Sequence, residues 1–394
     1  MRTILSVLLS VLFFGLSAQS YVPGEAYFGA NSYVEYIAGN MPIILSAPHG
    51  GLLSPASIPD RDCSGCSTVN DFNTQELARA VSTAIHNRTG CWPHLVVNRL
   101  HRRKLDANRD LPEAADGNAV SGQAWMDFHD FLGAATNAVT GQFGKGLYVD
   151  LHGHAHAVQR LELGYLLYSD ELQLPDATLN QPTYIGYSSF QNLAYSNPQN
   201  LTHAELLRGD QSLGTLLDAH GYPATPSLSD PYPAETEDYF SGGYNTARYG
   251  SYNGGTIDGL QIECNRSGIR DSLPQVLRFA DSLAVVLLDF MHRHYFGALT
   301  ETLCNSTGLS NINNTWQMDI SPNPYCRSFQ ISLADTNANW TAELFDFYGN
   351  FLFVKTIDPG VPLQIAFTQP KNTFVVLRRN GEIVAAKTVL HYCR

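Results

Sequence analysis

"YVDLHGHAH", residues 148–156, sets an acid and three histidines behind a short apolar run, in a chain that has only 13 histidines. Residues 148–151 read as a buried strand, and in α/β proteins the side chains that bind or react gather where such strands end. Similar apolar stretches at 42–47, 94–100, 163–167 and 259–263 also read as strands, while 71–86, 123–138 and 273–294 carry apolar residues at helical spacing. This alternation predicts an α/β fold, a sheet with helices over both faces. Residues 168–258 are rich in Tyr, Ser, Pro and Gly and read as long loops over a site.

The pattern changes near the C-terminus. After the polar stretch "CNSTGLSNINNTW" (304–316) come short alternating runs, among them "FQISL", "TAELFDF", "FLFVKTI" and "FVVLRR". They predict a small all-β sandwich. The expected organisation is a signal peptide over 1–20, a catalytic domain over 21–302, a linker over 303–318 and a β-sandwich domain over 319–394.

A chain of 394 residues, 44% hydrophobic and 15% charged, has the composition of a globular protein with a large core. Its net charge of −12 argues against nucleic acid and anionic membrane as partners, because both call for a basic surface. The opening "MRTILSVLLSVLFFGLSAQS" has one Arg, an apolar run too short to span a bilayer and then small residues, the layout of a secretory signal. Export without a membrane anchor is therefore expected. Seven cysteines favour disulfides, and their odd number leaves at least one thiol unpaired within the chain. Cys63 and Cys66 read as a loop disulfide or as unrelated thiols, since no second CxxC completes a tetrahedral metal site. Glycosylation triplets begin at Asn87, Asn200, Asn265, Asn305, Asn313 and Asn339, a number that chance also produces in such a composition.

Four segments carry chemistry: "APHGG" (47–51), "HRRKLDANRD" (101–110), "DLHGH" (150–154) and "LQIECNR" (260–266). Histidine, histidine and glutamate delivered to one sheet edge suit a zinc hydrolase, in which N and O ligands hold the ion and a free carboxylate handles the proton. Asp150 shares the face of His152 by the period of two, as a support for that ligand or as a plain structural acid. Asp71 reads either as a metal ligand or as an acid stabilising the start of a helix. His154 and His156 read as surface or supporting histidines. The guanidinium of Arg109 beside the amide of Asn108 suits a substrate carboxylate.

In this order, "PHGG", "DFNTQELA", "LDANR", "DLHGH", "GGYNTARYG" and "LQIE", spread over residues 41–271, resemble the N-formylglutamate amidohydrolase family. The resemblance implies a core like that of zinc carboxypeptidases, a mixed sheet sandwiched by helices. It also implies zinc held by His49, His152 and a carboxylate. Carboxypeptidases take that carboxylate three residues after the first histidine, where this chain has Leu52. The amidohydrolase pattern points instead to Asp71, with Glu76 as its rival. By the same resemblance Glu263 is the general base, Arg102, Asn108 and Arg109 hold the substrate carboxylate, and Tyr244 and Arg248 add polar contacts. The closing "ISPNP", "ELFDFYGNFLF" and "NGEIVAAKTVL" resemble the C-terminal sorting domain of some bacterial secreted proteins.

The expectation is a secreted zinc amidohydrolase acting on a small-molecule or peptide-like carboxylate substrate. Two rivals stand beside it: a carboxypeptidase-type exopeptidase, and a secreted binding or matrix protein with an inert site.

Overall fold

The computed structural model describes residues 21–63, 65–296 and 304, and the segments 318–321, 328–333, 340–346, 351–358, 361–367, 373–379 and 382–389. The expected signal over 1–20, nearly all of the expected linker, and Cys326 and Cys393 lie outside the described residues. The chain divides into two units, Met1–Asn305 and Ser306–Arg394.

In the first unit, β1 (Ala26–Phe28), β2 (Val34–Ile37), β3 (Ile43–Ala47), β4 (His94–Asn98), β5 (Gly146–Gly153), β6 (Leu161–Gly164), β7 (Ala224–Thr225) and β8 (Ile257–Cys264) form one sheet. Their order is β1-β2-β4-β3-β5-β8-β6-β7. The central β4, β3, β5 and β8 run parallel, while β2 and β6 pair antiparallel to β4 and β8, so the sheet is mixed.

Period two divides the strand side chains between two cores. Ile43, Leu45, Val149, Leu151 and Ile262 pack with α1 (Thr74–Thr89), through Leu77 and Val81, and with α3 (Leu273–Met291), through Phe279 and Leu283. Ile44, Val96 and Tyr148 face the other way, onto Phe128, Leu132 and Ala135 of α2 (Ala119–Phe143). Helices thus cover both faces, as the alternation predicts. In α3 the buried Val276, Phe279, Ala280, Leu283, Leu287 and Met291 recur every three or four residues and form a single stripe. Truncating Leu283 to Ala in such a stripe costs about 2–5 kcal/mol.

Two expectations need correction. The strand read at 163–167 lies earlier, at Leu161–Gly164: Leu166 has φ of 69° and gives its N–H to Ser241 O, which ends the ladder. Much of 168–258 is helix rather than loop, in short pieces from Ser169–Leu172 to Tyr244–Tyr249. The longest of these has seven residues, too few for a helical period to register. At one end of the sheet β1 and β2 carry no run strong enough to read.

The second unit holds β9 (Met318–Ser321), β10 (Ser328–Leu333), β11 (Trp340–Asp346), β12 (Phe351–Ile357), β13 (Leu363–Ala366), β14 (Thr373–Arg379) and β15 (Glu382–Val389). They form two antiparallel sheets, β13-β10-β9 and β12-β11-β14-β15. Phe329, Ile331, Trp340, Ala342, Leu344, Val375 and Leu377 alternate inward to make one shared core.

Cys63 pairs with Cys66 and Cys91 with Cys304, at Cα separations of 5.6 and 5.9 Å, while Cys264 is buried and free. Among the described residues no helix is long and apolar enough to cross a membrane.

Candidate metal centre

The strand ends bring three predicted ligands together. His49 follows β3 by two residues, and Gly50 beside it presses the loop onto the start of α1, where a Cβ would lie 2.6 Å from the Gln75 backbone nitrogen. Asp71 precedes α1 and gives its N–H to His49 O at 3.1 Å. Its carboxylate does not cap the helix. Asp71 Oδ2 lies 3.3 Å from His49 Nδ1 and 3.4 Å from His152 Nδ1, and accepts the Gly153 N–H at 3.1 Å. His49, Asp71 and His152 are 1%, 7% and 2% exposed, and one ligand atom from each lies within 4.8 Å of the others. Glu76 is outside this group and lines a neighbouring cavity of about 670 Å³ with Gly50, Phe72, Asn73 and Arg103.

Behind each histidine stands another acid. His49 Nε2 meets Asp106 Oδ1 at 2.5 Å, and His152 Nε2 meets Asp150 Oδ2 at 2.8 Å. A carboxylate on Nε2 fixes the proton there and turns the Nδ1 lone pair toward Asp71, the arrangement metal-binding histidines adopt. Asp150 also accepts from Ser46 Oγ and Asn245 Nδ2, and Asp106 from Arg102 Nε and the Asn108 N–H. Of the two readings of Asp150, support for His152 or a plain structural acid, the contact with Nε2 is the one that support requires. Asp106 was given no role in the reading of the sequence.

The electrostatics ask for a cation. Burial by itself would raise the carboxyls of Asp71, Asp106 and Asp150, yet the neighbouring histidines, with Arg102 at Asp106, hold all three below the usual carboxylate range. Burial likewise opposes charge on His152, but Asp150, Asp71 and Glu263 together push its imidazole up to about 10. Two imidazoles and a carboxylate around a point that favours positive charge are a donor set that fits zinc.

Glu263 lies directly opposite His152 in the β5–β8 ladder, with Oε1 3.9 Å from His152 Nδ1. Gln261, two residues back on the same face, donates Nε2–H to that Oε1 at 2.8 Å. Glu263 Oε2 is buried without a hydrogen-bond partner among the described residues. Burial, aided by Asp71 and Glu162, pushes this carboxyl up to about 8 despite the opposing charge of His152. Such a group holds or yields a proton near neutrality.

The predicted substrate residues are spread more widely. Asn108 is buried, and its Oδ1 accepts the Asn245 N–H at 2.8 Å, which ties the Tyr244–Tyr249 helix to the loop after β4. Gly243 permits this contact, since a Cβ there would lie 2.9 Å from Gln261 Oε1. Arg102 bridges Asp106 at 2.9 Å and Asp71 at 3.4 Å. Arg109 is more exposed and pairs with Glu113 at 3.0 Å. Arg248 donates to Tyr244 Oη at 2.6 Å and sits 5.4 Å from the Trp125 ring centre. Gln261 and Asn245 are the further residues that the sequence reading did not single out. Period two from Glu263 was the available signal for Gln261.

Of the two readings of His154, surface or supporting, the surface one needs correction. His154 is buried, its Nε2–H donating to Arg160 O at 2.8 Å, and is not a surface residue.

The sequence matches no protein-family model, and no curated protein matches it. Among solved structures the chain is similar to N-formylglutamate amidohydrolase from Ralstonia eutropha JMP134, at 16% identity over 66% of this chain and 96% of that one, with a TM-score of 0.38. It is similar to succinylglutamate desuccinylase from Chromobacterium violaceum at 12% identity over 70% and 72% of the two chains, with a TM-score of 0.30. A third, dimeric latent PorU from Porphyromonas gingivalis, matches at 18% identity over 19% of this chain and 9% of that chain, with a TM-score of 0.15. At these scores the strand order itself, rather than the likeness, carries the fold.

Proposed function

We propose that this chain is an exported zinc-dependent amidohydrolase that cleaves the amide of an N-acyl amino acid or peptide-like substrate bearing a carboxylate. The observation that carries the reading is the convergence of His49 Nδ1, His152 Nδ1 and Asp71 Oδ2, backed by Asp106 and Asp150, beside a buried Glu263 with one oxygen unpartnered. Export is supported by the two disulfides, which persist in oxidising compartments.

His49, Asp71 and His152 would hold the ion. Zinc bound there supplies Lewis-acid polarisation of the scissile carbonyl and eases the ionisation of water. Glu263 takes the proton from the attacking water and passes it to the departing amine, while Gln261 keeps Oε1 in place. Arg102 is tied to two acids and serves as fixed positive charge rather than as a free fork. Among the described residues Arg248 ion-pairs with no carboxylate, so with Tyr244 it is free to take that of a substrate.

The test is zinc content together with hydrolysis of a panel of N-acyl glutamates and small peptides. Glu263→Gln keeps the shape but cannot take a proton, so turnover should fall about 10²–10⁴-fold with zinc retained. Near wild-type turnover in that variant would remove Glu263 from the reaction. Absence of zinc from the purified wild type after zinc supplementation would remove the metal.

A further inference from the structure

We propose that His154, His156 and Glu162 form a second divalent-cation site, separate from His49, Asp71 and His152. It pins the segment between β5 and β6 and suits a borderline first-row ion such as zinc, given two imidazoles and one carboxylate.

The three side chains converge because the chain doubles back. Past the end of β5, His154 gives its N–H to Cys264 O at 3.1 Å and so stays alongside β8. His156 follows with the same parity, and the chain returns as β6, which carries Glu162. A backbone carbonyl only accepts, so the contact of His154 Nε2 with Arg160 O fixes the proton on Nε2. The Nδ1 lone pair is then left 3.8 Å from Glu162 Oε1. His156 Nδ1 lies 2.7 Å from the same oxygen, and the three ligand atoms are within 4.8 Å of one another. The other oxygen of Glu162 accepts the Phe240 N–H at 2.8 Å, which orients Oε1 toward both rings. An ion here would replace two present contacts, the proton between His156 and Glu162 and the 3.1 Å hydrogen bond from the His156 N–H to His154 Nδ1.

Charge supplies an independent argument. Glu162 and Glu263 are cross-strand neighbours in the β6–β8 ladder, at 0% and 4% exposure. Two carboxyls directly opposite in a sheet ionise together only at a cost unless positive charge lies beside them. The nearby arginines are committed elsewhere: Arg160 to Asp230 and Glu237, and Arg270 to the carbonyls of Phe72, His154 and Cys264. Among the described residues no arginine or lysine ion-pairs with Glu162. A cation between His154, His156 and Glu162 supplies positive charge there in place of the proton that His156 and Glu162 share.

The full chain, stripped with chelator and dialysed against zinc chloride, should bind about two zinc per chain. His156→Ala and the isosteric Glu162→Gln should each bind about one, as should His49→Ala, and the double variant His49→Ala/His156→Ala none; circular dichroism checks that each remains folded. Cobalt in place of zinc gives a visible spectrum whose intensity should drop in each single variant. A wild type that binds one ion, lost in His156→Ala and kept in His49→Ala, supports this site while overturning the first. Unchanged metal content in both His156→Ala and Glu162→Gln overturns the second site, as does wild-type saturation at one ion that only His49→Ala loses.

Discussion

The two histidine–carboxylate clusters lie along neighbouring strands yet are supported differently. At His49 and His152 each ring rests on a full carboxylate, Asp106 or Asp150, and both face a third acid, Asp71. At His154 the support is a neutral backbone carbonyl, and Glu162 is the sole acid of its group. Negative charge behind a ligand raises its basicity and fixes its orientation, so the first cluster should hold an ion more tightly. Graded chelation of a doubly loaded protein should therefore empty the second cluster first.

The largest expected effect separates the acids around the first cluster. Asp71→Ala removes a ligand atom lying against both histidines and should weaken zinc binding by more than about 100-fold, beyond the usual cost of losing a supporting contact. Glu76→Ala, which alters only the adjoining cavity, should leave the affinity intact. A competitive zinc titration reads both variants. The reverse outcome would move the ligand role to Glu76.

A smaller effect tests the supports. Asp106→Asn leaves an amide behind His49 and surrenders the charge, and should cost about 10–100-fold in zinc affinity. If Asp106→Asn binds zinc like the wild type, charge behind the ring is not what distinguishes the two clusters.

How much of this was legible follows from what each residue requires. Asp150 and His152 share a face by period two within one strand, and the "PHGG" loop after a strand places His49 near them; both are local patterns. The pairing of Glu263 with His152 depends on the β5–β8 register, and the placement of Asp106 behind His49 depends on how the loop after β4 folds back. Neither is written in any window of the sequence. Glu162 was lost because the apolar run from Leu163 to Leu167 drew the strand two residues late, whereas positive φ at Leu166 breaks it early. The second cluster was thereby hidden, its two histidines visible and its acid misplaced.

The comparison has a third member, a buried histidine with no acid at all. His203 donates Nδ1–H to Leu179 O at 2.9 Å, and its Nε2 has no partner among the described residues. Burial, only partly offset by that carbonyl, lowers its pKa to about 4, opposite in direction to His152. A depressed folded-state value means that the unfolded chain binds the proton more readily. The stability held above the ordinary histidine value of about 6.5 is therefore lost as pH falls from there toward about 4. Between about pH 6.5 and 5.5 the loss from this one ring amounts to roughly 1 kcal/mol, the smallest effect considered. His203→Asn keeps a donor near the Nδ1 position and cannot take up a proton. Urea unfolding at the two pH values should show a stability loss smaller by that amount in the variant, and taking the difference between the proteins cancels whatever the metal clusters contribute to both. An equal loss in both proteins would mean that His203 protonates as easily in the fold as outside it, and that burial without an acid does not keep a histidine neutral here.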